Sequence, residues 1–216
     1  ADAEGHADQS TASWTVDGAP AGSGPTLLTN VGGTLYFRAD DGSTGFELWT
    51  SDGTEAGTVQ IADLLPGPLG STPELLTAVG STLYFRARTT PHGIEPWISD
   101  GTAESTHLLR DIRVGNLGSG ARDFAEYNGQ LFFGASNGFS GLELWATQGT
   151  KATTQQVADI WPGSENGAPD EFTLFNGLLY FFAHDGTTGR ELYRTDGTNE
   201  GTFKVGDSVP GNQGSS

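Results

Sequence analysis

Acidic side chains recur at a fixed spacing along this chain, and they are its most regular chemical feature. One set of four aspartates returns every 48 residues: Asp63, Asp111, Asp159 and Asp207. If the strand that carries each of them were the innermost strand of a ring, the four carboxylates would face a central channel and could hold a cation such as Ca²⁺. In the alternative interpretation, each aspartate caps the turn before a glycine by accepting hydrogen bonds from backbone N–H groups.

A second acidic set lies within apolar segments and has the same period: Glu47, Glu95, Glu143 and Glu191. A carboxylate among apolar residues needs hydrogen-bond donors. We expect these donors to be backbone groups or the hydroxyls of Thr58, Thr106, Thr154 and Thr202. Because catalysis by carboxylates needs two groups in unlike environments, four equivalent glutamates favour a structural role.

Residues that interrupt the repetition are better candidates for ligand recognition, because a single site on a fourfold frame must be built from unlike residues. Arg113 and Trp161 occupy the place that other units give to Leu65 and Val209. In a ring the two would lie on neighbouring units, and an aromatic platform beside a cation suits an acidic sugar or a carboxylate-bearing peptide. The sequence therefore predicts a ligand-binding site at Trp161 and Arg113.

Two histidines of the second unit, His92 and His107, also break the pattern. No matching serine, cysteine or cluster of metal ligands accompanies them, so they make a weak case for an enzyme. The alternative is that both are solvated loop residues. No catalytic residue is assigned from the sequence.

The same 48-residue period organises the whole chain. Leu35-Tyr36-Phe37 returns as Leu83-Tyr84-Phe85, Leu131-Phe132-Phe133 and Leu179-Tyr180-Phe181. Each unit contains four short segments of strand character, separated by turn signals such as Gly32-Gly33. Segments like these are apolar on both faces, so they need cover on both sides. Four strands per unit predict an all-β, four-bladed β-propeller, with a solenoid of hairpins as the structural alternative.

The expected domain organisation is an N-terminal tail with a partial repeat (1–25) and a single propeller domain (26–216). Its repeats are 26–73, 74–121, 122–169 and 170–216. Within the tail, Trp14-Thr15-Val16-Asp17-Gly18 matches the segment that begins at Trp49, but at a spacing of 35 residues. This partial unit lacks the segment that corresponds to Thr58 to Leu64, and the C-terminal segment 202–209 is predicted to take that vacant place and to close the ring by strand exchange. The alternative is that the five-residue match is due to chance.

One recurring string carries a family resemblance. Glu47-Leu48-Trp49-Thr50-Ser51-Asp52-Gly53-Thr54, with Gly57-Thr58 and Asp63 after it, resembles bacterial surface and secreted proteins that have ELWxxDGT repeats. The resemblance covers about residues 26 to 211, with Pro96, Gln148 and Tyr193 as departures from the motif. It implies an exported, propeller-like protein at the cell surface or outside the cell, and it supplies no catalytic residue or cofactor.

The composition of the chain disfavours some classes of binding partner. The net charge of −17 argues against nucleic acid and anionic membranes, which attract positive surfaces. No apolar run approaches the length that spans a bilayer, so no membrane insertion is expected.

The leading expectation is a non-enzymatic extracellular module that binds glycan or protein through propeller loops or serves as a scaffold. The alternatives are a hydrolase or lyase acting on an extracellular polymer, and a purely structural repeat of a surface protein.

Overall fold

Each unit folds into a four-stranded antiparallel sheet, because its apolar and β-branched segments are separated by residues suited to tight turns. A computed structural model describes residues 22–207 of the chain. Within them lie four such sheets, and they confirm the predicted all-β, four-bladed propeller. The described residues contain no helix with the length and apolar character needed to cross a membrane.

The strands of each sheet, or blade, follow one another in chain order. Blade 1 contains β1 (Thr26–Val31), β2 (Thr34–Asp40), β3 (Phe46–Ser51) and β4 (Val59–Ala62). Blade 2 contains β5 (Glu74–Val79), β6 (Thr82–Thr89), β7 (Gly93–Ser99) and β8 (His107–Leu108). Blade 3 contains β9 (Arg122–Tyr127), β10 (Gln130–Ala135), β11 (Glu143–Thr147) and β12 (Gln155–Ala158). Blade 4 contains β13 (Asp170–Phe175), β14 (Leu178–His184), β15 (Arg190–Thr195) and β16 (Phe203–Lys204).

The first hairpin of each blade turns on the dipeptide that the sequence predicts. In blade 1, Gly32 and Gly33 both have positive φ angles, of 60° and 94°. In blade 3 the same turn uses Asn128 at 51° and Gly129 at 73°. These values match the two-residue turns that join tightly twisted antiparallel strands, so this part of the prediction is confirmed.

Apolar side chains from neighbouring blades form the core. Between blades 1 and 2, Tyr36 and Leu48 pack with Leu83, Phe85 and Trp97 in one buried cluster. Equivalent residues build a cluster between blades 2 and 3 and another between blades 3 and 4. Blades 2 and 3 therefore have both faces covered by a neighbouring blade, as strands that are apolar on both faces require.

The order of strands from the axis outward follows from which strands meet. The first strands of successive blades contact one another, β1 with β5, β5 with β9, and β9 with β13. Each sheet runs in the order first, second, third, fourth strand, which places the fourth strand at the opposite edge. The first strand is therefore innermost and the fourth outermost.

The expected strand exchange is wrong for the described part of the C-terminal segment. Phe203 and Lys204 pair with Arg194 and Tyr193 of their own blade, so β16 completes blade 4. Residues 208–209 of that segment, and the Trp14 match in the tail, lie outside the described residues.

A substitution in the core tests the packing between blades. Phe133 is fully buried between blades 2 and 3. Phe133→Ala should lower the free energy of unfolding by about 3 to 5 kcal/mol, because it removes buried apolar surface and leaves a cavity. Urea denaturation followed by tryptophan fluorescence measures this. Phe139→Ala, at a side chain that is 87% exposed, is the matched control and should change it by less than about 0.5 kcal/mol. Equal effects of the two substitutions would contradict this packing.

Candidate functional site

The aspartate set does not form the expected central cation site. Asp63, Asp111 and Asp159 each follow a fourth strand, and Asp207 follows β16 in the same way. Because the fourth strand is outermost, these carboxylates lie at the outer edges of separate blades and cannot meet in a channel. Among residues 22–207, no group of three or more His, Asp or Glu side chains is arranged to hold a metal ion. The alternative of turn capping is met at Asp111, whose Oδ2 accepts a hydrogen bond from the Gly115 N–H at 3.4 Å.

The glutamate set is structural, as expected, and its partners are backbone N–H groups and, at Glu47, the Ser71 hydroxyl. Glu47 is fully buried and accepts hydrogen bonds from the N–H groups of Leu65 (3.2 Å) and Ser71 (2.7 Å). Glu143 accepts equivalent bonds, at 2.7 Å, from Ile160 and Gly167. Each carboxylate thereby fixes the segment that returns from an outer strand to the next blade.

The threonines expected beside these glutamates bond elsewhere. The Thr58 hydroxyl pairs with the Ser51 hydroxyl at 2.7 Å, and Thr106 pairs with Ser99 at the same distance. The expectation of threonine donors is therefore wrong, because these hydroxyls bond to a serine of the third strand and to the carbonyl of Thr54 or Thr102.

Burial raises the pKa of Glu47, Glu95 and Glu143 above the ordinary value for a glutamate. Desolvation raises the pKa of Glu95 to about 7, although the Arg113 N–H donates to its carboxylate at 3.1 Å. Desolvation likewise raises the pKa of Glu143 to about 7. Both glutamates are fully buried, so they bind protons as part of the fold.

Arg113 and Trp161 each contact the blade that follows their own. The Trp161 ring stacks on His184, with 4.8 Å between ring centroids and 15° between planes, and it lies directly against Gly186. Arg113 lies in the equivalent place against Gly138. Both are half-buried, and within the described residues no cation–π contact joins them. Ligand binding at Trp161 and Arg113 stays a prediction.

A cleft at the outer edge of blade 2 brings together unlike chemical groups. It has a volume of about 490 Å³, and the turn of blade 3 that contains Gly149 and Thr150 forms its other wall. Its polar and charged lining residues are His92, His107, Arg110, Asp111, Thr150 and Lys151. We call this feature the blade 2 cleft.

A histidine–aspartate pair lies in the blade 2 cleft. The His92 Nδ1 atom is 3.0 Å from Asp111 Oδ2, with the histidine side chain 35% exposed. The second oxygen, Asp111 Oδ1, is buried and accepts no hydrogen bond from the described residues. A carboxylate at Nδ1 orients the imidazole and leaves Nε2 as the nitrogen that can exchange a proton.

Two positively charged side chains, Arg110 and Lys151, line the same cleft as this pair. The Arg110 guanidinium donates to the Thr154 carbonyl and lies 5.8 Å from the centre of the Trp145 ring, which fixes its position. Lys151 is exposed on the opposite wall. His107 is held by a 2.7 Å hydrogen bond from Nδ1 to the Ser105 carbonyl oxygen. The described lining of the cleft thus combines Arg110, Lys151 and two histidines with one carboxylate, Asp111. The cleft can therefore attract an anion, although the protein as a whole has a net charge of −17.

Departure from the 48-residue repeat is the sequence signal that marks Arg110 and Lys151. Both break the repeat: Arg110 stands where the other units have Ala62, Ala158 and Gly206. Lys151 stands where they have Glu55, Ala103 and Asn199. His92 and His107 were recognised as exceptions, but their relation to Asp111 depends on two loops that meet only in the folded blade.

Comparisons with known proteins were made at three levels. No protein-family model and no curated protein matches the chain. Among solved structures, puromycin hydrolase is similar with a TM-score of 0.58 and 19% identity, over 86% of this chain and 29% of that chain. Pyrococcus horikoshii acylaminoacyl peptidase is similar with a TM-score of 0.51 and 12% identity, over 84% of this chain and 27% of that chain. The likeness is one of fold.

This chain spans less than a third of the length of those two proteins. The comparisons correct the leading expectation of a non-enzymatic binding or scaffold module, because the solved propellers of similar fold occur in a hydrolase and a peptidase.

The raised pKa values of Glu95 and Glu143 predict how stability depends on pH. Both glutamates bind a proton more tightly in the folded state than at the ordinary value of 4.5. Their stabilising contribution to the free energy of unfolding is therefore fully present below about pH 4.5 and is lost as the pH rises through about 7. The free energy of unfolding in urea should fall between about pH 5 and pH 8, at about 1.4 kcal/mol per pKa unit for each group.

The matched variants separate this effect from the weaker repulsion between negative charges that follows when exposed carboxylates are protonated at low pH. Glu95→Gln and Glu143→Gln should each flatten the pH dependence, whereas Glu104→Gln, at an exposed carboxylate, should leave its shape unchanged. A pH dependence that is the same in all four proteins would show that the buried glutamates do not cause it.

Proposed function

We propose that this protein is an enzyme, or the reacting part of one, that cleaves an anionic extracellular polymer in the blade 2 cleft. The observation that carries the proposal is the 3.0 Å contact between His92 and Asp111 in a cleft that Arg110 and Lys151 also line. Similarity of fold to propellers of hydrolytic enzymes supports an enzymatic role. The resemblance to secreted ELWxxDGT-repeat proteins supports an extracellular location.

The charges of the cleft favour a polymer that carries carboxylates. Arg110 and Lys151 supply two permanent positive charges, and the histidines add more when they are protonated. The rest of the surface is strongly acidic and repels a polyanion. A polymer with acidic sugars would therefore be held at the cleft and excluded from other parts of the protein.

Elimination is the reaction that these groups support best. Glycoside hydrolysis of the usual kind needs two carboxylates on either side of the bond, and among residues 22–207 Asp111 is the one carboxylate that lines the cleft. In elimination, His92 Nε2 removes the proton next to the sugar carboxylate, and Arg110 and Lys151 stabilise the negative charge that develops. The electron pair forms a carbon–carbon double bond, the bond to the leaving oxygen breaks, and that oxygen takes a proton from the protonated His107 or from water.

The roles within the cleft are therefore distinct. His92 is the general base, and Asp111 positions it and stabilises its protonated form. Arg110 and Lys151 bind the substrate carboxylate. Arg110 is the more rigid of the two, because the Thr154 carbonyl and the Trp145 ring hold its guanidinium.

Turnover of a polyuronate tests the proposal. The purified protein should shorten the polymer and produce an unsaturated sugar, which is followed by its ultraviolet absorbance. His92→Gln should reduce turnover by about 100-fold or more, as expected for loss of a general base. Asp111→Asn should also reduce turnover, whereas Arg110→Gln should mainly raise KM. Arg122→Gln, at an exposed arginine away from the cleft, is the matched control and should change neither.

Two results would contradict the proposal. One is tight binding of the polymer without any shortening of it. The other is full turnover in His92→Gln with the melting temperature of the original protein, since the base would then lie elsewhere.

A further inference from the structure

The contact between successive blades has one recurring feature at its edge. An aromatic ring from the second strand of one blade lies over the glycine in the Asp-Gly-Thr turn, or its equivalent, of the next blade. A methyl group added at that glycine would lie 2.7 Å from Tyr36 at Gly101, 2.7 Å from Tyr84 at Gly149, and 3.4 Å from Phe132 at Gly197. The ring and the glycine thus fit together at all three junctions between blades.

The fourth member of this series is incomplete. Gly53 of blade 1 is the equivalent glycine, and a methyl group added there would have no atom of the described residues within 4 Å. Tyr180 of blade 4 is the equivalent aromatic residue, and it is half-buried where Tyr36 is 2% exposed. Among residues 22–207, no buried apolar cluster joins blade 4 to blade 1.

The free face of blade 4 exposes residues that are buried in the other blades. Phe175 is 59% exposed, whereas Tyr127, its equivalent in blade 3, is 4% exposed. Leu192 is 37% exposed, whereas Leu144 is fully buried. Blade 4 therefore presents to solvent the surface that blades 1 to 3 use to contact the next blade.

Part of the opposite face of blade 1 shows the complementary defect, although Phe37 and Trp49 of that face stay buried. Leu35 is 37% exposed, whereas its equivalent in blade 2, Leu83, is fully buried. Leu28 is 68% exposed beside it. With Phe37 and Gly53 they line an apolar groove of about 370 Å³.

We propose that blade 4 of one copy of this chain packs on blade 1 of a second copy, with Tyr180 of one copy over Gly53 of the other. The two free faces fit each other, because they are the two halves of a junction that the chain already forms three times. Such an interface is heterologous, and the smallest ring between copies that buries both faces of each copy contains two copies. Exposed apolar patches of this kind are typical of interaction surfaces. This association is independent of the proposed reaction in the blade 2 cleft.

The mass in solution tests the proposal first. Light scattering after size exclusion should give twice the 22.6 kDa chain mass at high protein concentration and should approach the single-chain mass on dilution. Leu192→Arg disables the blade 4 face and Leu35→Arg disables the blade 1 face. Because every junction needs one face of each kind, either variant alone should be monomeric. Val114→Arg, at a position that is 87% exposed and on neither face, is the matched control and should still associate.

Mixing the two variants is the decisive step. Leu192→Arg chains keep an intact blade 1 face and Leu35→Arg chains keep an intact blade 4 face, so the mixture should form a heterodimer through one junction. A single-chain mass at all concentrations, association that persists in either variant, or failure of the mixture to associate would overturn the proposal. So would a lower melting temperature of the dilute Leu192→Arg variant, because the face would then be covered within one chain.

Discussion

The return of the chain from the outer edge of one blade to the axis of the next is the constraint on which this structure depends. Every blade begins with its innermost strand and ends with its outermost, so this return occurs between all successive blades. Its backbone N–H groups are shielded from water and need acceptors. Glu47 meets this need by accepting from Leu65 and Ser71. The same arrangement removes a carboxylate from water, and desolvation accordingly raises the pKa of Glu95 to about 7.

Repetition of that arrangement explains where chemistry can develop in this fold. Strand residues face the same neighbours in every blade, so a change at one of them would disturb a junction. The outer strands and their loops escape this requirement, because they lie at the edge away from the axis. Arg110 replaces small neutral residues of the other units there, and His92 replaces a hydroxyl residue. A reacting site at the rim therefore leaves the packing between blades unchanged.

The sequence predicted the parts of the structure that depend on local pattern. The 48-residue period gave four blades, and Gly32-Gly33 gave a hairpin whose φ angles bear it out. The period identifies equivalent residues but does not indicate which end of a blade faces the axis, and so the sequence left open whether Asp63 and its equivalents face a channel or cap turns. The pairing of His92 with Asp111 was also beyond the sequence, because it joins a turn before β7 to the segment after β8.

The net charge of −17 acts in opposite directions on the two proposed interactions. Two copies of the chain repel each other electrostatically, and the apolar contact of Tyr180 with Gly53 must overcome this repulsion. Salt weakens the repulsion, because at physiological ionic strength charges are screened beyond about 8 to 10 Å. A polyanion in the blade 2 cleft is instead attracted by Arg110 and Lys151 at short range, and salt weakens that attraction. Raising the salt concentration should therefore strengthen the association of copies while it raises KM for the polymer. If both respond to salt in the same direction, one of the two interactions does not have the chemistry assigned to it.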